Sequence, residues 1–194
     1  MPHRQATGKR EWPLQCCVGE VAVSERDDTE SWITSKLRDR EMNLEELLAK
    51  SAESAGPAIA ATFNHPERQL SVDEFRKFWR GTRMWAVATA GKNGAPHIAP
   101  VHVLLEDGDV FRMSIFEDSA RLTDLRRDPR VAVTSWGEDG TIAILYGRCS
   151  EVPGSRRELS RPGNADERAV ISVEIAPTRL YVMCPRPREE RAAR

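Results

Sequence analysis

The chain has 194 residues, of which 40% are hydrophobic and 30% are charged, a composition typical of a globular domain. Its formal net charge of −1 excludes a global electrostatic attraction to nucleic acid or to an acidic membrane surface. No apolar run approaches the roughly 20 residues of a membrane-spanning helix, and the N-terminal residues contain no apolar signal-peptide core. We therefore expect a cytoplasmic protein that binds neither membranes nor nucleic acid.

The first residues of the chain are polar, mixed in charge and without a hydrophobic period, which predicts a poorly ordered extension. Asn43 is well placed to cap a helix that runs to about Ser54, and a short link follows it. The predicted divisions are an extension over residues 1–41, a helix and linker over 42–70, one domain over 71–185 and a flexible tail over 186–194.

The predicted domain starts with a helix and continues with strands. Ser71 and Glu74 have the spacing of a capping box, and Gly81 suits the end of that helix. Asn93-Gly94 is the strongest hairpin signal in the chain. Short turns and one inserted helix separate the predicted strands, which are residues 84–90, 96–105, 110–115, 131–136, 141–152, 168–175 and 179–183. This pattern favours a mainly β fold with flanking helices, a small antiparallel barrel rather than a doubly wound sheet.

The corner between the third predicted strand and the inserted helix carries the clearest chemical signal. Ser119 is placed to cap a helix over Ala120–Arg127. Free N–H groups at a helix start attract anions, and Ser119 and Arg121 add a hydroxyl and a guanidinium. Two interpretations remain open from these residues alone. Either the corner binds a phosphate monoester, or Ser119 is a simple cap and Arg121 pairs with Asp124 or Glu117 on the surface.

No hydrolase motif occurs in the sequence, and the four histidines are scattered. His102 lies in the middle of an apolar strand, where alternation places it on one face with Ile98, Pro100 and Leu104. It is either a pocket-lining residue or an edge histidine hydrogen-bonded to the backbone. Because no acid–base machinery is visible, we assign no catalytic residue and expect a bound cofactor to supply the reactivity.

Two other classes of site are disfavoured. The four cysteines match no metal or redox spacing, which predicts reduced thiols and no metal site. A nucleic-acid binder that uses the arginines at 121, 126, 127 and 130 would need interleaved aromatic residues, and none alternate with them.

The run from Trp85 to Val152 resembles the FMN-binding split barrel of the pyridoxamine 5'-phosphate oxidase-like superfamily. The matching pieces are AVATAGKNGAPHIAPV, the Asp-Gly turn before VFRMSI, SARLTDLRRDPRVAV, YGRCSEV and RAVISVEIAPTRLYVM. The resemblance extends over about residues 71–184, and it is the order and spacing of the pieces that make it specific. It implies a small antiparallel split β-barrel with one inserted helix.

The resemblance also implies a homodimer that binds FMN between its subunits and acts on a small organic substrate. In this family a strand matching Ala99–Leu104 lies along the flavin ring, and a Ser-x-Lys/Arg pattern, here Ser119 to Arg121, holds the phosphate. The implied cofactor contacts are Val101, His102, Val103, Met113, Ser114, Ser119, Ala120 and Arg121. Ala120 stands where the oxidases usually have arginine, and their C-terminal substrate-binding arginine segment is absent, which argues against vitamin B6 oxidation.

Two alternatives accompany the FMN-dependent oxidoreductase. The extra length of SIFEDSAR and the string RRDPR resemble branches that bind a deazaflavin coenzyme on the same fold. Relatives without activity suggest a non-catalytic module that binds flavin or haem. Ser119 and Arg121 suit the phosphate of either flavin-type cofactor. Trp136 either covers the ring or packs at the subunit interface, and the interface is the preferred expectation.

Overall fold

The computed structural model describes residues 43–159, 168–187, 189 and 190. The predicted extension over residues 1–41, most of the predicted tail, and Cys16 and Cys17 lie outside the described residues. Four helices occur in the described part, namely α1 Leu44–Glu53, α2 Pro57–Phe63, α3 Val72–Gly81 and α4 Ala120–Arg127.

The helix starts follow from local capping. The Asn43 side chain accepts hydrogen bonds from the N–H groups of Glu45 and Glu46, so α1 begins as predicted. Ser71 and Glu74 form the predicted capping box of α3. The prediction of a plain link after α1 was wrong, because Pro57 occupies the first turn of α2. Proline fits there since the first-turn N–H groups have no helical partner.

The strands form one antiparallel sheet that curls into a split barrel, which confirms the predicted fold class. They are β1 Trp85–Ala90, β2 Pro96–Val101, β3 Val103–Leu105, β4 Phe111–Phe116, β5 Arg130–Trp136, β6 Ile142–Glu151, β7 Arg157–Leu159 and β8 Arg168–Met183. Their order is β2-β1-β5-β6-β8-β4-β3, and β7 pairs with the start of β8.

Three strand predictions needed correction. The residues between the predicted strands 141–152 and 168–175, for which no strand was predicted, contain the short strand β7. The last two predicted strands are one continuous strand, β8, because its pairing with β6 continues past Pro177 through a shift of register at Tyr146 and Gly147. The long second strand is divided at His102 into β2 and β3.

The division at His102 decides the shape of the barrel. The Asn93-Gly94 turn, with φ values of 64° and 77°, returns the chain from β1 to β2. After His102 the chain leaves β1 and pairs with β4 at the opposite end of the sheet order. From Ser114 onward β4 has no described strand on its β3 side, just as β2 has none on the side away from β1. The two strands therefore diverge from His102 and leave an opening, which we call the β2–β4 cleft.

The core fills the barrel and its ends. Trp79 of α3 stacks on Trp85 of β1 with ring centroids 3.6 Å apart. The Trp79 indole N–H donates to the Val103 carbonyl oxygen at 3.0 Å. Helix α1 covers the edge of β8 that β4 leaves unpaired, and the Ser51 hydroxyl accepts the Leu180 N–H at 2.9 Å. The described helices include none that is long and apolar enough to cross a membrane.

Candidate functional site

Helix α4 bridges the wide end of the β2–β4 cleft, because it contacts both β1 and β4. The turn from β4 into α4 is closed by a hydrogen bond from the Ser119 N–H to the Phe116 carbonyl oxygen at 3.0 Å. Ser119 has an extended backbone, and its hydroxyl oxygen accepts the Leu122 N–H at 3.2 Å. The cap is thus confirmed, and the hydroxyl proton of Ser119 remains available to a second acceptor.

Arg121 is partly buried in the first turn of α4 and makes no ion pair with any described carboxylate. The two surface partners considered from the sequence are bound elsewhere. Glu117 accepts from Arg156 at 3.0 Å, and Asp124 accepts from Arg127 at 3.0 Å. Burial lowers the pKa of Arg121 and the nearby Asp124 raises it, but an arginine stays charged under all ordinary conditions. Arg121 is therefore a fixed charge that forms no ion pair with a described carboxylate, and Asp124, which lies near it, is already bound to other donors.

Apart from His102, the remaining expected site residues divide into three that are buried and two that are exposed. Val101, Val103 and Met113 are buried in the barrel core, so only their backbones can face the cleft. Ser114 and Ala120 are exposed, and Ser114 is the first residue of β4 beyond its pairing with β3.

His102 is exposed where β2 and β3 separate. No described residue hydrogen-bonds to its ring, so the backbone contact that one of the two alternatives for His102 required does not form. Its strand neighbours Ile98 and Leu104 are also exposed, which puts this face of the strand outside the barrel. His102 thus lies at the narrow end of the cleft, away from Ser119 and Arg121.

Sequence reasoning missed a polar cluster centred on the buried carboxylate of Asp124. The Asp124 carboxylate accepts from His97 Nδ1 at 2.5 Å, from the Thr89 hydroxyl at 3.2 Å and from Arg127 at 3.0 Å. Burial alone would raise the pKa of Asp124, but the hydrogen bonds from His97 and Arg127 outweigh it and hold the pKa below its ordinary value of 3.8. The cluster ties α4 to the β1–β2 hairpin and so fixes the helix that carries Arg121.

The His97 ring packs closely on the same hairpin. A Cβ atom on Gly91 would lie 2.9 Å from Cε1 of His97, so this position has room only for glycine. Gly91 is the one signal of this cluster in the sequence, since a close approach of the backbone needs glycine. The pairing of His97 with Asp124, 27 residues later, could not be predicted from spacing.

A cavity of about 480 Å³ lies elsewhere, between α1, α2 and β8. Its wall includes Leu48, Phe63, Tyr181 and Val182, and none of the expected site residues. The cavity is therefore separate from the β2–β4 cleft.

Three of the four arginines considered for nucleic-acid binding form ion pairs within the chain, and Arg121 is the exception among the described residues. Arg126 binds Glu151 at 2.7 Å, Arg127 binds Asp124, and Arg130 binds Asp128 at 2.6 Å. The hydrogen bond from Arg130 lowers the pKa of Asp128 from its ordinary value of 3.8 to about 2. These pairs lower the net positive charge that a phosphate backbone would meet.

The two described cysteines are free thiols. Cys184 is buried, and burial raises the pKa of Cys149 to about 12. Over the described ranges, no group of three or more histidine, cysteine, aspartate or glutamate side chains is arranged to hold a metal ion.

The family model for pyridoxamine 5'-phosphate oxidase matches residues 71–184, which is more than half of the chain. The fold and this match define the class: the chain belongs to the pyridoxamine 5'-phosphate oxidase family, whose superfamily includes flavin-binding split barrels. No curated protein matches the sequence.

Solved structures share the fold at low sequence identity. A conserved hypothetical protein from Mycobacterium tuberculosis is 18% identical, with a TM-score of 0.51 over 62% of this chain and 88% of that chain. A FAD-binding protein from Mesorhizobium loti is 18% identical, with a TM-score of 0.44 over 59% and 94% of the two chains. A haem storage protein from Vibrio cholerae is 12% identical, with a TM-score of 0.45 over 58% and 94%.

Proposed function

We propose that the protein is an FMN-dependent oxidoreductase that acts on a small organic substrate, with the cofactor in the β2–β4 cleft. The observation that carries this proposal is Arg121, a partly buried guanidinium that forms no ion pair with a described carboxylate and lies two residues after a capping serine. A phosphate monoester carries up to two negative charges at neutral pH, and it would provide the missing counter-ion. Family membership favours a flavin as the carrier of that phosphate.

The residues of the cleft suit such a cofactor in three ways. Ser119 offers a hydroxyl proton and Arg121 a forked pair of donors to phosphate oxygens. The unpaired edges of β2 and of β4 beyond Met113 offer backbone N–H and C=O groups to the polar edge of a flavin ring. The exposed His102 borders the narrow end. Bound FMN would supply the hydride chemistry, while the protein binds, orients and shields it.

We infer that the protein is a homodimer, as the family resemblance implies. The outer face of β2 and β5 exposes large apolar side chains, with Ile98 at 70% and Trp136 at 69% of their maximal accessibility. Ala88 and Ala132 follow Ile98 in register on the neighbouring strands, so a second subunit could approach this part of the surface closely. We also infer a cytoplasmic location, where the free thiols of Cys149 and Cys184 would remain reduced.

The proposal is tested by offering FMN to the purified protein and recording the absorption spectrum and the dissociation constant. Losing one charge-assisted contact costs about 1.5–3 kcal/mol, so Arg121→Ala should weaken FMN binding about ten- to a hundred-fold. Arg130→Ala is the matched control, because this exposed arginine pairs only with Asp128 among the described carboxylates. Equal FMN affinity in wild type and Arg121→Ala would remove Arg121 from the site.

The same measurements separate the alternatives. If the protein takes up the deazaflavin coenzyme in preference to FMN, the proposed cofactor changes but the protein is still proposed to be an oxidoreductase. Tight flavin or haem binding without turnover of any reduced nicotinamide would indicate a non-catalytic module. A protein that takes up none of the three would overturn the proposed function.

A further inference from the structure

We propose that Arg157 is a second cationic anchor for the cofactor phosphate, acting together with Arg121; this inference rests on the proposed function. Arg157 lies on β7, and its guanidinium donates to the Ser114 hydroxyl at 2.9 Å and to the Ser172 hydroxyl at 3.2 Å. Ser114 is the first residue of β4 at the cleft. A strand distant in sequence thus brings a guanidinium to the serine that borders the proposed site.

The sheet explains how Arg157 reaches this position. It is paired with Val170 on β8, and Ser114 is paired with Ser172 on the same strand. The Arg157 side chain therefore crosses the outer face of β8, contacts Ser172 and ends at β4. Both its contacts are neutral hydroxyls, and no described carboxylate lies within ion-pair distance of it. Like Arg121, Arg157 is a cation without a described counter-ion.

The charges around the corner support an anion at this place. Glu117 and Asp118, which form the turn between β4 and α4, would repel a phosphate if they were free. Glu117 is paired with Arg156 at 3.0 Å, and Asp118 with Arg168 at 2.5 Å. Both acidic groups of the turn are thus paired, and Arg156 is shared between Glu117 and Glu158, which it contacts at 2.8 Å.

The charge that remains near the turn is positive. Arg121 approaches the corner from α4 and Arg157 from β7, while Ala120 between the cap and Arg121 adds no charge. Two guanidinium groups match the two negative charges of a phosphate monoester.

Comparison of FMN with riboflavin, which lacks the phosphate, tests this role without any measurement of turnover. Arg157→Gln keeps hydrogen-bond donors toward Ser114 and Ser172 but removes the charge. We expect it to weaken FMN binding about tenfold and to leave riboflavin binding within about twofold of wild type. Arg157→Lys, which keeps the charge without the planar fork, should lose less. The control is Arg83→Gln. Arg83 is exposed, lies outside the cleft and forms no ion pair with a described residue.

The outcomes separate this inference from the proposed function. Equal losses of FMN and riboflavin affinity in Arg157→Gln would assign Arg157 a structural role and overturn the inference. Unchanged FMN affinity would overturn it as well, although an effect of Arg121→Ala would leave the proposed function standing. A wild-type protein that binds FMN no better than riboflavin would overturn both. If both arginines contact one phosphate, the losses in the variant lacking both should differ from the sum of the single losses.

Discussion

At the residue scale, Asp124 is the side chain on which the geometry of α4 most depends. Its carboxylate is almost completely inaccessible and has three described donors, from β1, from β2 and from α4 itself. Burying a carboxylate without such donors would cost folding free energy, so Asp124 can be buried only because these donors are present. Through this cluster, Thr89 and His97 of the hairpin determine where Arg121 and Ser119 stand.

Asp124→Asn should destabilise the protein by about 1–3 kcal/mol at neutral pH, because it removes the charge from two charge-assisted hydrogen bonds. The lower part of this range is expected, since His97 and Arg127 are both partly exposed. The free energy of unfolding by urea checks this value. Asp107→Asn is the matched control, as Asp107 is fully exposed and should change stability by less than about 0.5 kcal/mol.

The pH dependence of the same contribution has a definite sign. The folded-state pKa of Asp124 lies below the ordinary value of 3.8, so the unfolded chain binds a proton more readily as pH falls. The stabilisation is complete above about pH 4 and is lost as the pH falls through the folded-state value. Wild type should therefore lose more stability than Asp124→Asn below pH 4, and identical profiles would contradict the role of the cluster.

Single residues could be predicted from the sequence when their contacts lie within a few positions along the chain. Ser119 was predicted as a cap because its partner, Leu122, is three residues away. Asp124 was considered only as one of two surface partners for Arg121, in one of two open interpretations, because its burial depends on the packing of α4 against β1. That packing brings together residues 27 and 35 positions apart.

At the scale of elements, predictions were again correct where the structure is encoded by a few consecutive residues. The start of α3 and the Asn93-Gly94 hairpin were predicted correctly, since each is encoded within four residues. Pro57 was taken as the end of α1, although proline is equally suited to the first turn of a new helix. Two strands were predicted over residues 168–175 and 179–183, but a register shift in the pairing with β6 lets β8 continue through Pro177 between them.

Ser71→Ala should destabilise the protein by about 1 kcal/mol, since it removes the side-chain half of the α3 capping box. Helix α3 supplies Phe75 and Trp79 to the core, so the loss should appear in global unfolding rather than only in local fraying. Thermal or urea unfolding measures it. Thr62→Ala, whose hydroxyl bonds only the Ala58 carbonyl oxygen within α2, should have a smaller effect, and equal effects would contradict the argument.

At the scale of the whole molecule, the incomplete closure of the barrel forms the proposed cofactor cleft, and its outer surface forms the proposed dimer interface. One chain segment belongs to both ends of the sheet, because β2 pairs with β1 while β3 pairs with β4. The cleft opens where this segment changes partner. The class of barrel could be predicted from strand number and turn spacing, whereas the cleft could not, because it depends on which strands pair.

Ile98→Asp should convert a dimer of about twice 21.8 kDa into a monomer, because a charge would be buried in an apolar interface. Sedimentation or light scattering measures the mass in solution. Leu159→Asp is the control, since Leu159 is an exposed apolar residue on β7. A wild-type chain that sediments as a monomer, or an Ile98→Asp variant that remains dimeric, would contradict the proposed interface.

The contact between Ser51 and Leu180 has a consequence for how the protein can be divided. The family match starts at residue 71, but α1 ends well before that point and shields the edge of β8 beyond its pairing with β4. A fragment cut to the matched segment would leave this edge bare, and an uncovered strand edge is a template for pairing with other chains. Expression trials designed from the family boundary alone would thus select a piece inclined to self-associate, and α1 belongs to the smallest unit worth producing.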